Sequence, residues 1–147
     1  MYMALLYLHS YIRWAVVLFA LYLLIQAALR LSPQHIKRNM RMFTMLFDLQ
    51  VLIGLGLYLF ASPMMNHVFQ NFGEAMKTPA LRFWAVEHPF GMILSLGLIH
   101  FGSIRVKKAV EERQQVKSVL IFVGLGLVIM LLMTPWPFGA NPRPLFR

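Results

Sequence analysis

The chain alternates between long apolar stretches and short polar segments. The apolar stretches cover about residues 5–29, 42–61, 81–104 and 118–134. Each approaches or exceeds the roughly 18–20 apolar residues with which an α-helix crosses about 30 Å of hydrocarbon. The pattern therefore predicts an all-α, integral membrane four-helix bundle, formed by residues 1–147 as a single domain.

Prolines mark the ends of three of these stretches. Pro33 and Pro63, each preceded by a serine, follow the first and second stretches, and a proline-rich tail follows Thr134. Proline cannot continue a helix, because it lacks the backbone N–H and its ring clashes with the preceding turn. These stops predict an antiparallel, up-down-up-down bundle, in which Ser62–Ala80 form an outward-facing loop between the second and third helices.

The third stretch is associated with two further prolines. Pro79 follows Thr78, a combination that is typical of a helix start, so we expect this helix to begin before its apolar part. Pro89 lies inside the helix, where it leaves the carbonyl of Ala85 without its helical partner. We therefore predict a kink directly beside His88.

Positive charge is concentrated in two of the connections. The net charge of +9 does not indicate nucleic acid binding, because the cations lie beside the ends of apolar stretches. They are Arg30, Lys37, Arg38 and Arg41 in one connection, and Arg105, Lys107, Lys108, Arg113 and Lys117 in the other. By the positive-inside rule both connections are cytoplasmic, so both termini face outward. We expect a multi-pass protein of a bacterial inner membrane, surrounded by lipid.

Two other features extend this topology. Trp14, Trp84 and Trp136 fall near the three outer helix ends, as expected of an aromatic belt at a membrane surface. The charged segment 105–117 is predicted to continue the third helix into solvent. Lys108 and Glu112 are four residues apart there and are placed to form an ion pair on one helix face.

Composition narrows the chemistry. Hydrophobic residues make up 59% of the chain, which is too apolar for one soluble core. The sequence contains no cysteine, which excludes disulfides, iron–sulfur clusters, thiolate metal sites and covalently attached haem. The first apolar stretch has no basic segment before it and runs for about 25 residues, so we interpret it as a retained helix.

The first and third stretches each carry a histidine at a similar depth from their outer ends. In an antiparallel bundle these two helices can stand diagonally opposed, so His9 and His88 could approach one iron ion from opposite faces. Ionisable groups are costly inside a bilayer and are treated as functional by default. The pattern predicts one haem b with two axial imidazoles. A structural hydrogen-bonding role for either histidine is the alternative.

Other residues belong to the same candidate site. Arg13 lies one helical turn from His9 and could either balance a haem propionate or pair with Glu87. A plain ion pair between Arg13 and Glu87, without any cofactor role, is equally compatible with the sequence. Gly91 and Met92 are expected to line the wall beside His88.

A second polar layer, formed by Asp48 and Gln50 on the second helix and His100 on the third, is predicted nearer the basic connections. His100 is twelve residues from His88 and therefore about 120° around the helix, so a second haem stacked below the first is not expected. We predict a buried structural pair between Asp48 and His100, with a proton or quinone role as the alternative. His35 and His67 are expected to be solvated.

The chain resembles the small Bacteroidetes-type membrane proteins labelled cytochrome b. The similar segments are His9-Ser-Tyr-Ile-Arg13-Trp14, Arg82-Phe-Trp-Ala-Val-Glu87-His88-Pro89 and Pro135-Trp136-Pro137. This resemblance implies a haem-binding membrane protein.

The chain is also similar to one four-helix half of the haem A synthase family, over about the first two-thirds of its length. The similar elements are His9 near Arg13, Gln50-x-x-x-Gly54, and Arg82 six residues before His88. In that family the helix-opening histidines ligate a haem, which implies the same role for His9 and His88 and adds Gln50 to the candidate cofactor-binding residues. The synthase has two such halves and an acidic residue where this chain has Leu8. The resemblance therefore implies a haem-binding half without synthase activity.

Two axial imidazoles leave iron no open position, which suits one-electron transfer better than catalysis. The sequence thus predicts an electron carrier, or an accessory subunit of a respiratory assembly, with quinone and respiratory-complex subunits as candidate partners. An oligomer is compatible with the sequence. The alternatives are a cofactor-free structural subunit of a membrane complex and an enzyme acting on haem or quinone.

Overall fold

A computed structural model describes residues 1–139 and 141–146 of the chain. It is 82% helical, and no strand occurs among the described residues. Four helical spans are long and apolar enough to cross a membrane, which confirms the predicted number: Tyr2–Ala28, Pro33–Ala61, Pro79–Lys108 and Glu112–Leu132. They are called the first to fourth spans below. The second to fourth spans begin earlier than their apolar stretches, because polar turns at their ends are also helical.

Three of the four spans contain a π-helical turn. The first span is one α-helix, Tyr2–Ala28. The second is α-helical over Ile36–Gly56 and π-helical over Leu57–Ala61. The third is α-helical over Pro79–Arg82 and His88–Lys108 around a π-helical turn at Phe83–Glu87. The fourth is α-helical over Glu112–Ser118 and Gly124–Leu132 around Val119–Val123.

A π-helical turn lies where the sequence predicts a kink beside Pro89. The π-helical turn at Phe83–Glu87 ends directly before His88. The carbonyl of Ala85, which Pro89 cannot reach with an N–H, accepts a hydrogen bond of 2.8 Å from the hydroxyl of Tyr58. A buried carbonyl without a partner is costly, so this bond stabilises the distorted turn.

The spans pack as a ring of four. The first span packs against the second and the fourth, and so does the third, so the first and third occupy opposite corners. A core of buried side chains fills the ring, and it includes Val16, Leu23, Phe43, Phe47, Ile99, Val119, Val123 and Leu127. Many apolar side chains on the outer surface are exposed, as expected where lipid replaces water.

The connection between the second and third spans is folded, although the sequence analysis treated it as a loop. It contains the short helices Pro63–Gln70 and Phe72–Ala75. Ser62 caps the first of these, since its hydroxyl accepts the N–H of Met65. Apolar residues of this connection pack on the second and third spans in a separate small cluster.

The predicted helical extension over residues 105–117 is wrong. The third span ends at Lys108, Ala109 is extended with a ψ of 127°, and a new helix begins at Glu112. Lys108 and Glu112 therefore lie on different helices and do not share a face. The break is stabilised by Gln115, whose buried amide donates to the carbonyl of Ala109 at 3.2 Å.

A candidate cofactor-binding site

A cavity of about 190 Å³ lies inside the bundle and is bordered by all four spans and by the C-terminal tail. Its lining is mostly apolar and includes Val16, Phe47, Val51, Met92, Ile93 and Met130. The lining also includes two histidines, two arginines and a glutamine. An apolar cavity with a few convergent polar groups is the usual form of a small-molecule site.

His9 and His88 face each other across this cavity. Their ring centroids are 6.5 Å apart and their planes are inclined by 74°. Two imidazole nitrogens bound to opposite sides of one metal ion, each at about 2 Å, place the ring centroids about 6 Å apart. The first and third spans thus bring the two histidines to a spacing that fits a shared metal ion, as their matching depths predicted.

His9 is held by the second span. The amide nitrogen of Gln50 donates to the carbonyl of His9 at 2.9 Å and lies 3.4 Å from its Nε2 atom. One turn further along the second span, a Cβ at Gly54 would come within 3.0 Å of Cε1 of His9. The glycine therefore leaves the space that the imidazole occupies. Gln50 and Gly54, four residues apart on one helix face, form a seat for this ring.

His88 is held by the fourth span and by aromatic neighbours. Its Nδ1 atom lies 2.8 Å from the carbonyl oxygen of Met133. A carbonyl can only accept, so Nδ1 carries the proton and Nε2 is the nitrogen left for a ligand. A hydrogen bond of this kind commonly fixes the tautomer of metal-binding histidines. The rings of Trp84 and Phe83 pack at 5.5 and 6.0 Å from the imidazole.

Arg13 lines the cavity but does not pair with Glu87. Its Nη2 atom donates to the carbonyl of Leu145 at 2.6 Å. Glu87 instead forms an ion pair of 2.9 Å with Arg82, and both side chains are about half exposed. The suggested pair between Arg13 and Glu87 is therefore wrong, because Glu87 points toward its own helix surface rather than into the cavity.

The C-terminal tail supplies a cation that the sequence analysis missed. Arg143 and Pro144 line the cavity, and the guanidinium of Arg143 lies 5.3 Å from the ring centre of Trp84. The tail is fixed there because Leu145 also accepts from the indole N–H of Trp14 at 3.1 Å. The sequence feature that could have indicated this role is an arginine flanked by prolines, shortly after the aromatic residues that follow the fourth span.

The two remaining candidates on the third span differ in position. Met92 lines the cavity, as expected. Gly91 instead faces the fourth span, where an added Cβ would overlap the side chain of Met133. The small size of Gly91 allows the third and fourth spans to pack closely. This close packing also brings the carbonyl of Met133 within hydrogen-bonding distance of His88.

Three polar atoms of this cavity are buried without a hydrogen-bond partner within the described part of the chain. They are Nδ1 of His9, Nε of Arg13 and Oε1 of Gln50. Native proteins rarely leave buried polar atoms unpaired, and each such atom calls for an explanation, such as an unseen ligand. Three of them in one cavity point to a bound molecule with both donor and acceptor groups.

The histidines and carboxylates form no larger cluster. No group of three or more histidine, aspartate or glutamate side chains suited to a metal ion occurs among residues 1–139 and 141–146. Two imidazoles alone are fewer ligands than a protein-built metal site uses.

The second polar layer forms the predicted pair. Nε2 of His100 lies 2.7 Å from Oδ1 of Asp48. The expectation that the pair is buried is wrong, because the side chains are 48% and 38% exposed on the outer surface of the bundle. His67 is exposed and His35 is partly exposed, as predicted.

Comparison with known proteins adds no family to this picture. The sequence matches no protein-family model, and neither the curated proteins nor the solved structures contain a significant match.

Proposed function

We propose that this protein is a membrane cytochrome that holds one haem b between His9 and His88 and carries electrons. The observation that carries the proposal is the 6.5 Å separation of the two imidazole rings across a largely apolar cavity. The unpartnered atoms of His9 and Arg13 support it further, because an iron ion can bind an imidazole nitrogen and a propionate can accept from a guanidinium. The resemblance to cytochrome b-type membrane proteins and to the haem A synthase half agrees with this proposal.

Each residue of the cavity has a part in binding. His88 offers Nε2 because Met133 occupies its other nitrogen, and His9 offers its imidazole, whose Nδ1 atom has no partner within the described part of the chain. Arg13 and Arg143 are the two cations available to the two propionate carboxylates. The apolar lining excludes water and strengthens these charge interactions. A haem held by these two histidines would supply one-electron redox chemistry there.

The proposal includes the orientation of the bundle. The spans run antiparallel in a bacterial inner membrane, with the basic connections in the cytoplasm and both termini outside. The positive-inside rule supports this, as do Trp14, Trp84 and Trp136 gathered around the cavity end of the bundle. The haem then lies near the outer surface, where a quinol in the membrane and a subunit of a respiratory complex are the natural electron partners.

A cofactor-free packing subunit is the second candidate. The contact that favours it is that each imidazole already touches a neighbouring polar group: His9 lies beside Gln50, and His88 is bound to Met133. In that case the histidines would act as hydrogen-bonding residues between helices.

A visible spectrum of the purified protein separates the two candidates. Protein expressed with sufficient haem should bind one haem per chain and give a reduced-minus-oxidised spectrum of the b type. His9→Ala and His88→Ala should each abolish the low-spin signal, because one imidazole cannot fill both axial positions. His67→Ala is the matched control, since this exposed histidine lies on the connection outside the cavity and its loss should leave the spectrum unchanged.

A colourless but stable protein under these conditions would support the packing subunit and overturn the haem proposal. An unchanged spectrum in either His9→Ala or His88→Ala would show that the iron is held elsewhere. Carbon monoxide should not bind to the reduced wild-type protein, because both axial positions are filled.

A further inference from the structure

The fourth span ends at the level of His88. Its last helical residue is Leu132, and the carbonyl of Met133 lies 2.8 Å from Nδ1 of His88. The first and third spans continue beyond the two cavity histidines by about two helical turns, to Tyr2 and Pro79. Since the fourth span packs against both of them, its end leaves a gap between the first and third spans beside the cavity.

The C-terminal tail crosses this gap. We call residues 141–146 the strap. On one side, the guanidinium of Arg143 lies 5.3 Å from the ring centre of Trp84 on the third span. On the other side, the carbonyl of Leu145 accepts hydrogen bonds from Arg13 and Trp14 on the first span. Because Arg143 also lines the cavity, the strap forms part of the cavity wall.

Few contacts hold the strap in place. Its backbone forms no hydrogen bond with the backbone of a span in the part of the chain that the structure describes. Pro142 and Pro144 have no N–H to donate, and they keep the segment out of a helix. Phe146 stacks on Trp14 with ring centroids 5.8 Å apart, but 61% of Phe146 is exposed. A segment with so few buried contacts opens locally at a low cost in free energy.

A ligand with a negative charge would add contacts to the closed strap. The Nη2 atom of Arg13 donates to the strap, whereas its buried Nε atom has no partner among the described residues. The same guanidinium can therefore donate to the strap and to a carboxylate in the cavity. Arg143 brings a second guanidinium to the cavity from the strap itself. A bound anion would thus connect the first span to the strap.

We propose that residues 141–146 gate the cavity: the strap must leave the first span before a molecule can enter, and an anionic ligand then holds it closed. The first part does not depend on haem. The second part rests on the proposed function, because the haem propionates are then the anionic groups.

The rate of cysteine modification tests the gate on the haem-free, full-length protein in detergent. The chain has no cysteine, so Ser10→Cys places a single thiol in the buried cavity wall. The probe is the anionic reagent sulfonatoethyl methanethiosulfonate, which should reach this thiol only when the strap opens. Adding Phe146→Ala removes the stack on Trp14 and should raise the modification rate about fivefold.

Two controls separate opening of the strap from general loosening. Phe138→Ala is the matched variant, because Phe138 is also exposed and stacks on Trp136 at 5.9 Å, but lies outside the strap. It should leave the modification rate of Ser10→Cys unchanged. A thiol at the exposed Gln70→Cys position, outside the cavity, should react equally fast with and without Phe146→Ala.

A second measurement uses the haem-loaded protein. Phe146→Ala should release haem to excess apomyoglobin about fivefold faster, with an unchanged spectrum, because both axial histidines lie on the spans. Haem dimethyl ester, which has no propionate charge, should leave the wild-type protein faster than haem does. Equal release of the two would overturn the role of the anion.

Equal modification of Ser10→Cys with and without Phe146→Ala would overturn the gate, as would equal acceleration by Phe138→Ala. The two proposals fail separately. A colourless protein with the expected modification rates refutes the haem proposal and leaves the gate standing. A b-type spectrum with unchanged modification rates supports the haem proposal and refutes the gate.

Discussion

Two polar clusters lie inside this bundle, and they differ in whether their hydrogen bonds are complete. In the cluster near the first connection, the amide nitrogen of Asn39 donates to Gln26 at 3.0 Å and lies 3.3 Å from the hydroxyl of Tyr22. Gln26 in turn donates to the carbonyl of Ser32. In the cavity at the other end, His9, Arg13 and Gln50 retain buried atoms without partners.

The difference separates a structural cluster from a binding site. The Asn39 cluster fixes a turn in which Arg30 and Ser32 have left-handed φ angles of 51° and 46°. Such angles are unfavourable for residues other than glycine, so the turn needs hydrogen bonds to hold it. The cavity residues hold no turn of this kind. Their unused hydrogen-bonding groups are therefore available to the proposed ligand.

The largest expected effect is on the free energy of unfolding of the haem-free protein, compared between a variant of the Asn39 cluster and a variant of the cavity. Asn39→Leu leaves the buried side-chain oxygen of Gln26 unpaired, which should lower the free energy of unfolding by about 2 kcal/mol. His9→Leu removes a polar atom that is already unpaired, so the same quantity should change by less than about 0.5 kcal/mol. Both are measured by thermal unfolding in detergent, on protein purified without haem.

This comparison can fail in a clear way. If His9→Leu destabilises the haem-free protein as much as Asn39→Leu does, the cavity residues are structural, and the contrast between the two ends is lost. Haem binding should be lost only in His9→Leu, provided that the Asn39→Leu protein is still folded at the assay temperature.

A smaller effect is expected at the seat of the His9 ring. Gly54→Ala brings a Cβ within 3.0 Å of the imidazole, so the ring must shift and its nitrogen leaves the optimal position for iron. A misplaced ligand of this kind should weaken haem affinity about tenfold, or about 1.4 kcal/mol. The measurement is haem titration of the haem-free protein followed by absorbance.

Gly56→Ala provides the matched control, because its Cβ enters open space on the same helix. Equal haem affinity in Gly54→Ala and wild type would mean that the ring position in this cavity does not set the ligand geometry. Equal loss in both variants would instead point to a general effect of alanine on the second span.

The sequence predicts those parts of this architecture that depend on local properties. The number of spans follows from the lengths of the apolar stretches. The proximity of His9 and His88 follows from their equal depth on the first and third helices. The carbonyl freed by Pro89 was also foreseeable, although its partner Tyr58, 27 residues away, was not. Local periodicity carries no information on which distant side chain fills a gap.

Two of the missed features, the position of Arg143 and the partner of Arg13, depend on long-range packing. Arg143 reaches the cavity only because the tail returns to Arg13 across a sequence separation of 132 residues. The same return explains why Arg13 does not need Glu87 as its partner. The break after Lys108 was missed because a charged, helix-favouring segment looks continuous, whereas the buried contact between Gln115 and Ala109 decides where the chain turns.

The smallest expected effect concerns the charge beside the haem. Arg13→Leu removes one of the two guanidinium groups that line the cavity, so it should stabilise the oxidised, more positive iron relative to the reduced form. A difference of about 0.7 kcal/mol corresponds to a midpoint potential about 30 mV lower for a one-electron couple. Redox titration followed by absorbance measures this difference.

Arg82→Leu is the matched control, because Arg82 is half exposed and paired with Glu87. An equal shift of the midpoint potential in both variants would mean that Arg13 acts only through the net charge of the protein. The cavity would then differ from the Asn39 cluster only in its histidines.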